Sequence, residues 1–195
     1  MRRAVFGGSF NPPHIGHLVV AETCADAAAL DRVVWMPAAT PPHKQSDPDL
    51  ASPDDRLALV DRAIAGNDRF AVSDLELRRA GVSYTVDTLR QLADAHPDDE
   101  LALLIGGDSL SAFASWRRPR EILDRARLLV YARPGSDPGD APDWVLDRTT
   151  IVDGVPLDVS STAIRARLRA GRSVRYLVPD GVRRLVAERG LYRGG

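Results

Sequence analysis

Two histidines three residues apart, His14 and His17, carry the most evident chemistry in this sequence. They follow a loop that contains the paired glycines Gly7 and Gly8 and a pair of prolines. At the start of a helix, two imidazoles and the unpaired N–H groups of the first turn offer hydrogen-bond donors to one anion, and a phosphate suits that arrangement. The structural alternative is a glycine-rich turn before a helix with two partly exposed histidines. The density of these residues at one strand end favours the phosphate site.

The elements around this loop predict its place in a fold. The apolar run 4–6 predicts a buried strand, and residues 15–30 show the spacing of a helix. A second apolar run, 32–37, completes a strand–helix–strand unit, which indicates parallel strands with a right-handed crossover. Open sheets of this kind bind ligands at the carboxyl ends of their strands, where this loop lies.

Further patterns extend the same order along the chain. Strands are predicted at 70–73, 101–105, 127–132 and 149–152, and helices at 53–65 (with Ser52 as its cap), 83–96, 160–170 and 180–188. Residues 74–80 and 113–120 are predicted to be irregular. The predicted fold class is therefore α/β, a Rossmann-like doubly wound parallel sheet of five to six strands. One domain is expected over residues 1–195, with a small helical part from about 159–195.

A second strand end with glycines follows the run 101–105. There, Asp108 is placed to accept hydrogen bonds from a ribose or to cap the next helix, and both roles can hold together. Trp116 lies a little further on among arginines, where it can stack on a planar ring, although a lone tryptophan more often serves packing.

Two more segments can contribute charge to the same edge of the sheet. Lys44, the only lysine of the chain, lies in the loop after the second predicted strand and either reaches a ligand phosphate or is solvated. Ser160 or Ser161 is predicted to cap the helix at 160–170, with Arg165 on its first turn. This segment is either an ordinary cap or the second half of a phosphate clamp.

Composition describes a globular chain of ordinary size. The chain has 195 residues, 44% hydrophobic and 27% charged, with a formal net charge of −1. This charge gives no global attraction to nucleic acid or to anionic lipid, so neither partner is expected. The single cysteine, Cys24, is expected to be a small core residue in a reducing compartment, and the expected location is cytoplasmic. A homo-oligomer is left open by the sequence.

The stretch 7–18 resembles the signature of the nucleotidyltransferase superfamily with its His-x-Gly-His motif, and it is most similar to bacterial nicotinate-nucleotide adenylyltransferases. Residues 41–44, 83–89, 105–110 and 160–165 resemble the same family in the same order, so the resemblance covers essentially the whole chain. Many members carry Thr at the position of Ser9, Asp at that of Asn11 and Ile at that of Val159.

The resemblance implies a role for each candidate site residue. The implied catalytic residues are His14, His17 and Arg165. The residues implied to bind ATP are Gly7, Gly8, Ser9, Phe10, Gly106, Asp108, Ser161 and Thr162. Those implied to bind nicotinate mononucleotide are Lys44, Tyr84, Thr85 and Trp116, with Trp116 stacked on the ring and nearby backbone amides on its carboxylate. No protein ligand for a metal is implied, because Mg²⁺ would be held mainly by the phosphates of ATP.

The implied activity is transfer of AMP from ATP to nicotinate mononucleotide, which gives deamido-NAD and pyrophosphate in NAD biosynthesis. Two alternatives within enzymes are adenylyl transfer to nicotinamide mononucleotide or to another phosphate acceptor such as phosphopantetheine. A nucleotide-binding sensor without turnover is an alternative of another class, against which the intact histidines and Arg165 argue. A fragment of a class I tRNA synthetase would share the His-Ile-Gly-His tetrad but needs a longer chain and a basic surface.

Overall fold

A six-stranded parallel sheet forms the centre of the structure, a computed structural model that describes residues 1–40, 49–79, 81–132 and 141–193. The strands are β1 (Arg2–Gly8), β2 (Arg32–Pro37), β3 (Phe70–Val72), β4 (Glu100–Gly106), β5 (Ala126–Ala132) and β6 (Thr149–Asp153). Their order is β3-β2-β1-β4-β5-β6, and every neighbouring pair is parallel. The order reverses between β1 and β4, which makes the gap between their carboxyl ends the topological switch point.

Helices connect the strands and cover both faces of the sheet. Within the described residues they are α1 (Ile15–Ala27), α2 (Pro53–Ile64), α3 (Leu75–Arg79), α4 (Thr85–Ala95), α5 (Gly107–Leu110), α6 (Pro119–Arg125), α7 (Asp143–Leu146), α8 (Ser161–Arg169) and α9 (Asp180–Glu188). A short 3-10 helix, Phe113–Ser115, precedes α6.

Alternation along the central strands builds a core on each face. In β1, Ala4 and Phe6 join the core beneath α1, α2, α8 and α9, whereas Val5 joins the core beneath α4 and α6. Successive residues of β4 divide in the same way, because side chains of a strand point to opposite faces in turn. The predicted α/β doubly wound fold with a C-terminal helical part is thereby confirmed.

Two segments predicted to be irregular are partly helical. Residues 74–80 contain α3, whose Glu76 is buried against α4 through its hydrogen bond with Thr88. Residues 113–120 contain the 3-10 helix and the first two residues of α6, which begins at Pro119. Helix α6 buries the side chains of Ile122 and Leu123. Helix α7 was also not predicted, because its four residues show no full helical period.

The first helix ends earlier than predicted, at Ala27 instead of residue 30. Ala29 adopts a left-handed conformation with φ 46°, which ends the helix and turns the chain into β2. Cys24 is fully buried on α1, and burial raises the pKa of its thiol to about 12. The thiol is therefore neutral at ordinary pH and serves packing, as expected.

Within the described part of the chain, none of the helices combines the length and the apolar character that crossing a bilayer requires.

Candidate active site

The site opens above the carboxyl ends of β1 and β4. These neighbouring strands pair in parallel up to Phe6 and Leu104 and continue into Gly7 and Gly106. A Cβ atom at either glycine would meet no atom of the described residues within 4 Å, so none of these residues fills the space beside the two strand ends. The fold thus brings together the two glycine-rich strand ends that the sequence placed at the switch point.

The two histidines begin α1 as a stacked pair. His14 is the N-cap residue, and its backbone N–H donates to Nδ1 of His17 at 3.2 Å. The two rings lie 3.7 Å apart between centroids. Because Nδ1 accepts that hydrogen bond, the neutral His17 imidazole carries its proton on Nε2. His17 is thereby set up as a hydrogen-bond donor through Nε2.

The first turn of α1 offers fewer N–H groups than the sequence predicted. The N–H of Ile15 donates to the Leu177 carbonyl at 3.0 Å, and those of His17 and Leu18 donate to the His14 carbonyl. The segment before α9 closes over the start of the helix and takes up the first donor. The first turn of α1 therefore has one N–H group fewer for a ligand than the sequence predicted.

Two glycines of the motif make room for its rings. A Cβ at Gly16 would lie 3.0 Å from Nδ1 of His14, and a Cβ at Gly8 would lie 3.0 Å from the Phe10 ring. Both distances are tighter than ordinary van der Waals contact. The absence of a side chain at Gly16 thus leaves room for the His14 ring, and its absence at Gly8 leaves room for the Phe10 ring.

A cluster of aromatic side chains, which we name the aromatic floor, packs against His17. Phe10 is 2% exposed, with φ 46°, and its ring packs edge-on against Phe6 at 5.4 Å and His17 at 5.2 Å. Trp35 of β2 completes the floor, 5.2 Å from the Phe10 ring. The Phe10 side chain therefore orients His17, and the predicted role of Phe10 in ATP binding stays a prediction.

The start of α8 forms the opposite wall of a cavity of about 270 Å³, which we name the His cavity. It is lined by His14, Gly16, His17, Val20, Tyr131, Val155, Leu157, Val159, Ser160, Ser161 and Thr162. Ser160 is the cap, because its hydroxyl accepts from the N–H of Ala163 at 3.2 Å. The N–H groups of Ser161 and Thr162 then remain at the cavity rim.

Ser161 also ties α8 to the loop, since its hydroxyl donates to the Pro12 carbonyl at 2.8 Å. Arg165 makes a similar tie from one turn further along. It is 5% exposed and donates through Nη1 to the Asn11 carbonyl at 3.0 Å, while its buried Nε has no hydrogen-bond partner among the described residues. Arg165 is the fifth residue of α8, beyond the first turn in which it was predicted. It does not line the His cavity and instead binds the backbone of the loop.

Arg56 on α2 is a functional candidate that the sequence interpretation missed. Its side chain is fully buried and donates to the carbonyl oxygens of Ser9, Ala39 and Ala51 at 3.0–3.1 Å. One guanidinium therefore joins the glycine-rich loop to the segments that follow β2 and precede α2. Its spacing from Leu59, Val60 and Ala63 placed it on the apolar face of α2, which is the signal that could have found it.

Asn11 has a structural role in the described chain. Its amide donates to the Asp49 carbonyl at 2.9 Å, and its Oδ1 accepts from the Ala51 N–H and from the Tyr192 hydroxyl. Burial raises the pKa of the Tyr192 hydroxyl, which keeps it protonated as a donor. The Asn11 side chain thus points away from the cavity and ties the loop to the C-terminal part.

A second cavity of about 240 Å³, which we name the Trp pocket, lies at the start of α4. It is lined by Ser83, Tyr84, Thr85, Ser115, Trp116, Arg117 and Ile122. Tyr84 is the N-cap of α4 without a side-chain cap, and its carbonyl accepts from the N–H groups of Asp87 and Thr88. Thr85, the first residue of α4, lines the pocket and has no residue of the helix before it to accept from its N–H group. Trp116 forms the facing wall and rests on Phe113 at 5.3 Å.

Asp108 and Lys44 are the remaining predicted site residues. Asp108 is exposed on the first turn of α5, and the N-cap is Gly106, so the predicted capping role is wrong. Lys44 lies outside the described residues.

Tyr131, which was not predicted, reaches the His cavity from β5. Its hydroxyl donates to the Val155 carbonyl, and its ring occupies the space that a Cβ atom at Gly154 would need.

A buried polar network lies behind the Trp pocket. Thr88 donates its hydroxyl to Glu76 at 2.6 Å and accepts from Arg79 at 3.1 Å. Burial raises the pKa of the Glu76 carboxyl. This network fixes the first turn of α4, where Thr85 lines the pocket. Across residues 1–40, 49–79, 81–132 and 141–193, no group of three or more His, Cys, Asp or Glu side chains is placed to hold a metal ion.

Comparison with known proteins defines the class of this site. The family model described as cytidylyltransferase-like matches residues 5–167, a span that contains both cavities, and the chain belongs to this family of nucleotidyltransferases. Among curated proteins, a "Probable nicotinate-nucleotide adenylyltransferase" of Salinibacter ruber is 49% identical over 193 residues, covering 99% of this chain and 98% of the relative. One of Shouchella clausii is 41% identical, covering 98% and 96%.

Within that class the chain belongs to the nicotinate-nucleotide adenylyltransferases, as its motifs predicted. Solved structures agree on the fold. A Plasmodium falciparum nicotinic acid mononucleotide adenylyltransferase complexed with NaAD has a TM-score of 0.79 at 16% identity, covering 98% of this chain and 97% of its own.

Proposed function

We propose that this protein transfers the AMP part of ATP to nicotinate mononucleotide, with release of pyrophosphate. The observation that carries the proposal is the pairing of the His cavity with the Trp pocket near the carboxyl edge of one sheet. The His cavity has the imidazole, hydroxyl and backbone N–H donors that a polyphosphate needs. The Trp pocket joins the Trp116 side chain to the start of α4 at Thr85, which suits a flat ring that bears a carboxylate.

The electrostatics of the glycine-rich loop support phosphate binding in the His cavity. The carbonyl oxygens of Ser9, Asn11 and Pro12 accept from Arg56, Arg165 and Ser161, respectively. A carbonyl held by such a donor cannot turn its negative end toward a bound anion. The two buried guanidinium groups also add positive charge beneath the loop, where little water screens it.

In the proposed mechanism, an oxygen of the mononucleotide 5′-phosphate attacks the α-phosphorus of ATP in line, and the bond from that phosphorus to the oxygen bridging to the β-phosphorus breaks. No protein nucleophile is needed. Nε2–H of His17 donates to an oxygen of the triphosphate, and the first N–H groups of α8 meet the leaving pyrophosphate. Catalysis then rests on positioning and on stabilising charge that grows in the transition state.

We propose that Mg²⁺ enters with ATP and is held mainly by its phosphates, where it neutralises charge on the polyphosphate. The donor set of the His cavity fits this role, because imidazole, hydroxyl and backbone N–H groups bind phosphate oxygens and leave the cation to the substrate.

The test is pyrophosphate release by the purified protein with Mg-ATP and, at equal concentration, nicotinate mononucleotide, nicotinamide mononucleotide or phosphopantetheine. The proposal predicts the highest kcat/KM with the acid and a dinucleotide product of matching mass. Turnover with none of the three acceptors, by folded protein that still binds ATP, would remove the substrate assignment.

A further inference from the structure

We propose that the side chain of Arg117 makes this enzyme selective for the acid form of the mononucleotide over the amide. This inference rests on the proposed function and adds a residue that the sequence interpretation did not single out. Of the seven residues that line the Trp pocket, Arg117 alone carries a formal charge. Two mononucleotides that differ only in a carboxylate or a carboxamide differ by one negative charge at this pocket.

The guanidinium is held in place before any ligand arrives. Its central carbon lies 4.5 Å from the centroid of the Tyr84 ring, and Tyr84 lines the same pocket. Stacking on an aromatic face restricts an otherwise flexible side chain. Because part of the ordering cost is met in the free protein, the charge can act on a bound carboxylate with little further loss of entropy.

A nearby carboxylate makes a cation necessary here. Asp87 lies in the first turn of α4, two residues beyond Thr85, where its charge would repel a carboxylate bound at the helix start. Arg90 approaches it at 3.0 Å, but this guanidinium is also engaged by both oxygens of Glu121 at 2.6 Å. Arg117 lies 3.9 Å from the other Asp87 oxygen and adds a second positive charge.

The adjacent arginine supplies a matched control. Arg118 has the same charge but does not line the pocket, and it faces Glu121 at 3.5 Å. Its left-handed backbone, φ 53°, turns the chain into α6 and separates the two side chains. Both side chains are at least half exposed, so replacing either one by glutamine leaves the core intact.

The experiment measures kcat/KM for nicotinate and nicotinamide mononucleotides, with saturating Mg-ATP, in the wild type, Arg117→Gln, Arg117→Lys and Arg118→Gln. Arg117→Gln is expected to lower kcat/KM for the acid about tenfold, through KM, and to change that for the amide less than about twofold. Arg117→Lys, which keeps the charge, should recover part of the acid preference. Arg118→Gln should keep the wild-type ratio.

An equal loss for acid and amide in Arg117→Gln would overturn the inference, because it would show that Arg117 only packs on Tyr84. An Arg117→Gln variant with the wild-type kcat/KM for both mononucleotides would overturn it as well. Either result would leave the proposed function in place as long as the wild type turns over the acid. A folded wild type that turns over neither mononucleotide would instead overturn the proposed function and this inference together.

Discussion

The His cavity and the Trp pocket are built in opposite ways. Behind the His cavity, buried cations and hydroxyls hold the loop carbonyls, and Arg56 and Arg165 are 0% and 5% exposed. The Trp pocket has a partly exposed tryptophan on one wall and the half-exposed Arg117 beside it. The first is fixed by the interior of the fold, and the second is shaped by side chains near the surface.

This difference separates two requirements of adenylyl transfer. Stabilising charge on a polyphosphate needs donors that do not move, because reorganisation in the transition state costs rate. Choosing an acceptor needs only a few contacts whose change leaves the core intact. Substitutions at the His cavity should therefore lower kcat, and substitutions at the Trp pocket should change KM and the choice of acceptor.

The largest effect is expected for His17→Ala. Loss of the Nε2–H donor should lower kcat about 10²–10³-fold, the usual cost of one preorganised donor, while folding is preserved. Pyrophosphate release at saturating substrates gives kcat, and far-UV circular dichroism checks the fold. A folded variant with the kcat of the wild type would exclude His17 from the mechanism.

Arg56→Ala should affect stability and catalysis together. The change removes a fully buried side chain and leaves three part-buried carbonyl oxygens without their donor, which we expect to lower the free energy of unfolding by about 3 kcal/mol. The released loop should also lower kcat. Urea unfolding measures the first effect. Arg62→Ala, at an exposed position on the same helix, is the control that should change neither quantity.

Trp116→Ala tests the other side of the comparison. Stacking of an aromatic side chain on a planar heterocycle is worth about 1–3 kcal/mol, so KM for nicotinate mononucleotide should rise roughly 10–100-fold while KM for ATP stays within about twofold. Trp144→Ala removes an indole that faces Arg120 and does not line the pocket. If both variants raised KM equally, Trp116 would be a packing residue only.

The smallest effect concerns pH. Arg90 binds both Glu121 oxygens and lowers the pKa of that carboxyl to about 2 from its ordinary 4.5. A lowered pKa means that the ion pair stabilises the fold above pH 4.5 and is lost as the pH falls toward 2. The stability difference between the wild type and Glu121→Gln should therefore shrink over that range. A difference independent of pH would contradict the account, and Glu188→Gln controls for the charge change.

The sequence predicted well those features that depend on residues close together in the chain. The histidine motif, the glycines of the two strand ends and the serine cap are each short local patterns, and the geometry of each follows from backbone rules where one element meets the next. Apolar runs also predicted the strands, because a strand buried on both faces is apolar throughout.

Long-range hydrogen bonds were what it could not predict. Arg56, Asn11 and Tyr192 act through partners distant in sequence. The helical spacing of Arg56 could have indicated its burial, but not the carbonyl oxygens that it binds. The same limit explains Arg117, which the chain order alone does not separate from Arg118. Short helices such as α3 escaped because fewer than two turns give no clear period.

The central claim is that the His cavity performs the chemistry and the Trp pocket selects the acceptor. The most direct test is calorimetric titration of nicotinate mononucleotide into the wild type, His17→Ala and Trp116→Ala. We expect His17→Ala to bind within about threefold of the wild type and Trp116→Ala to bind at least about tenfold more weakly. Equal loss of affinity in both variants, or a loss only in His17→Ala, would contradict this division.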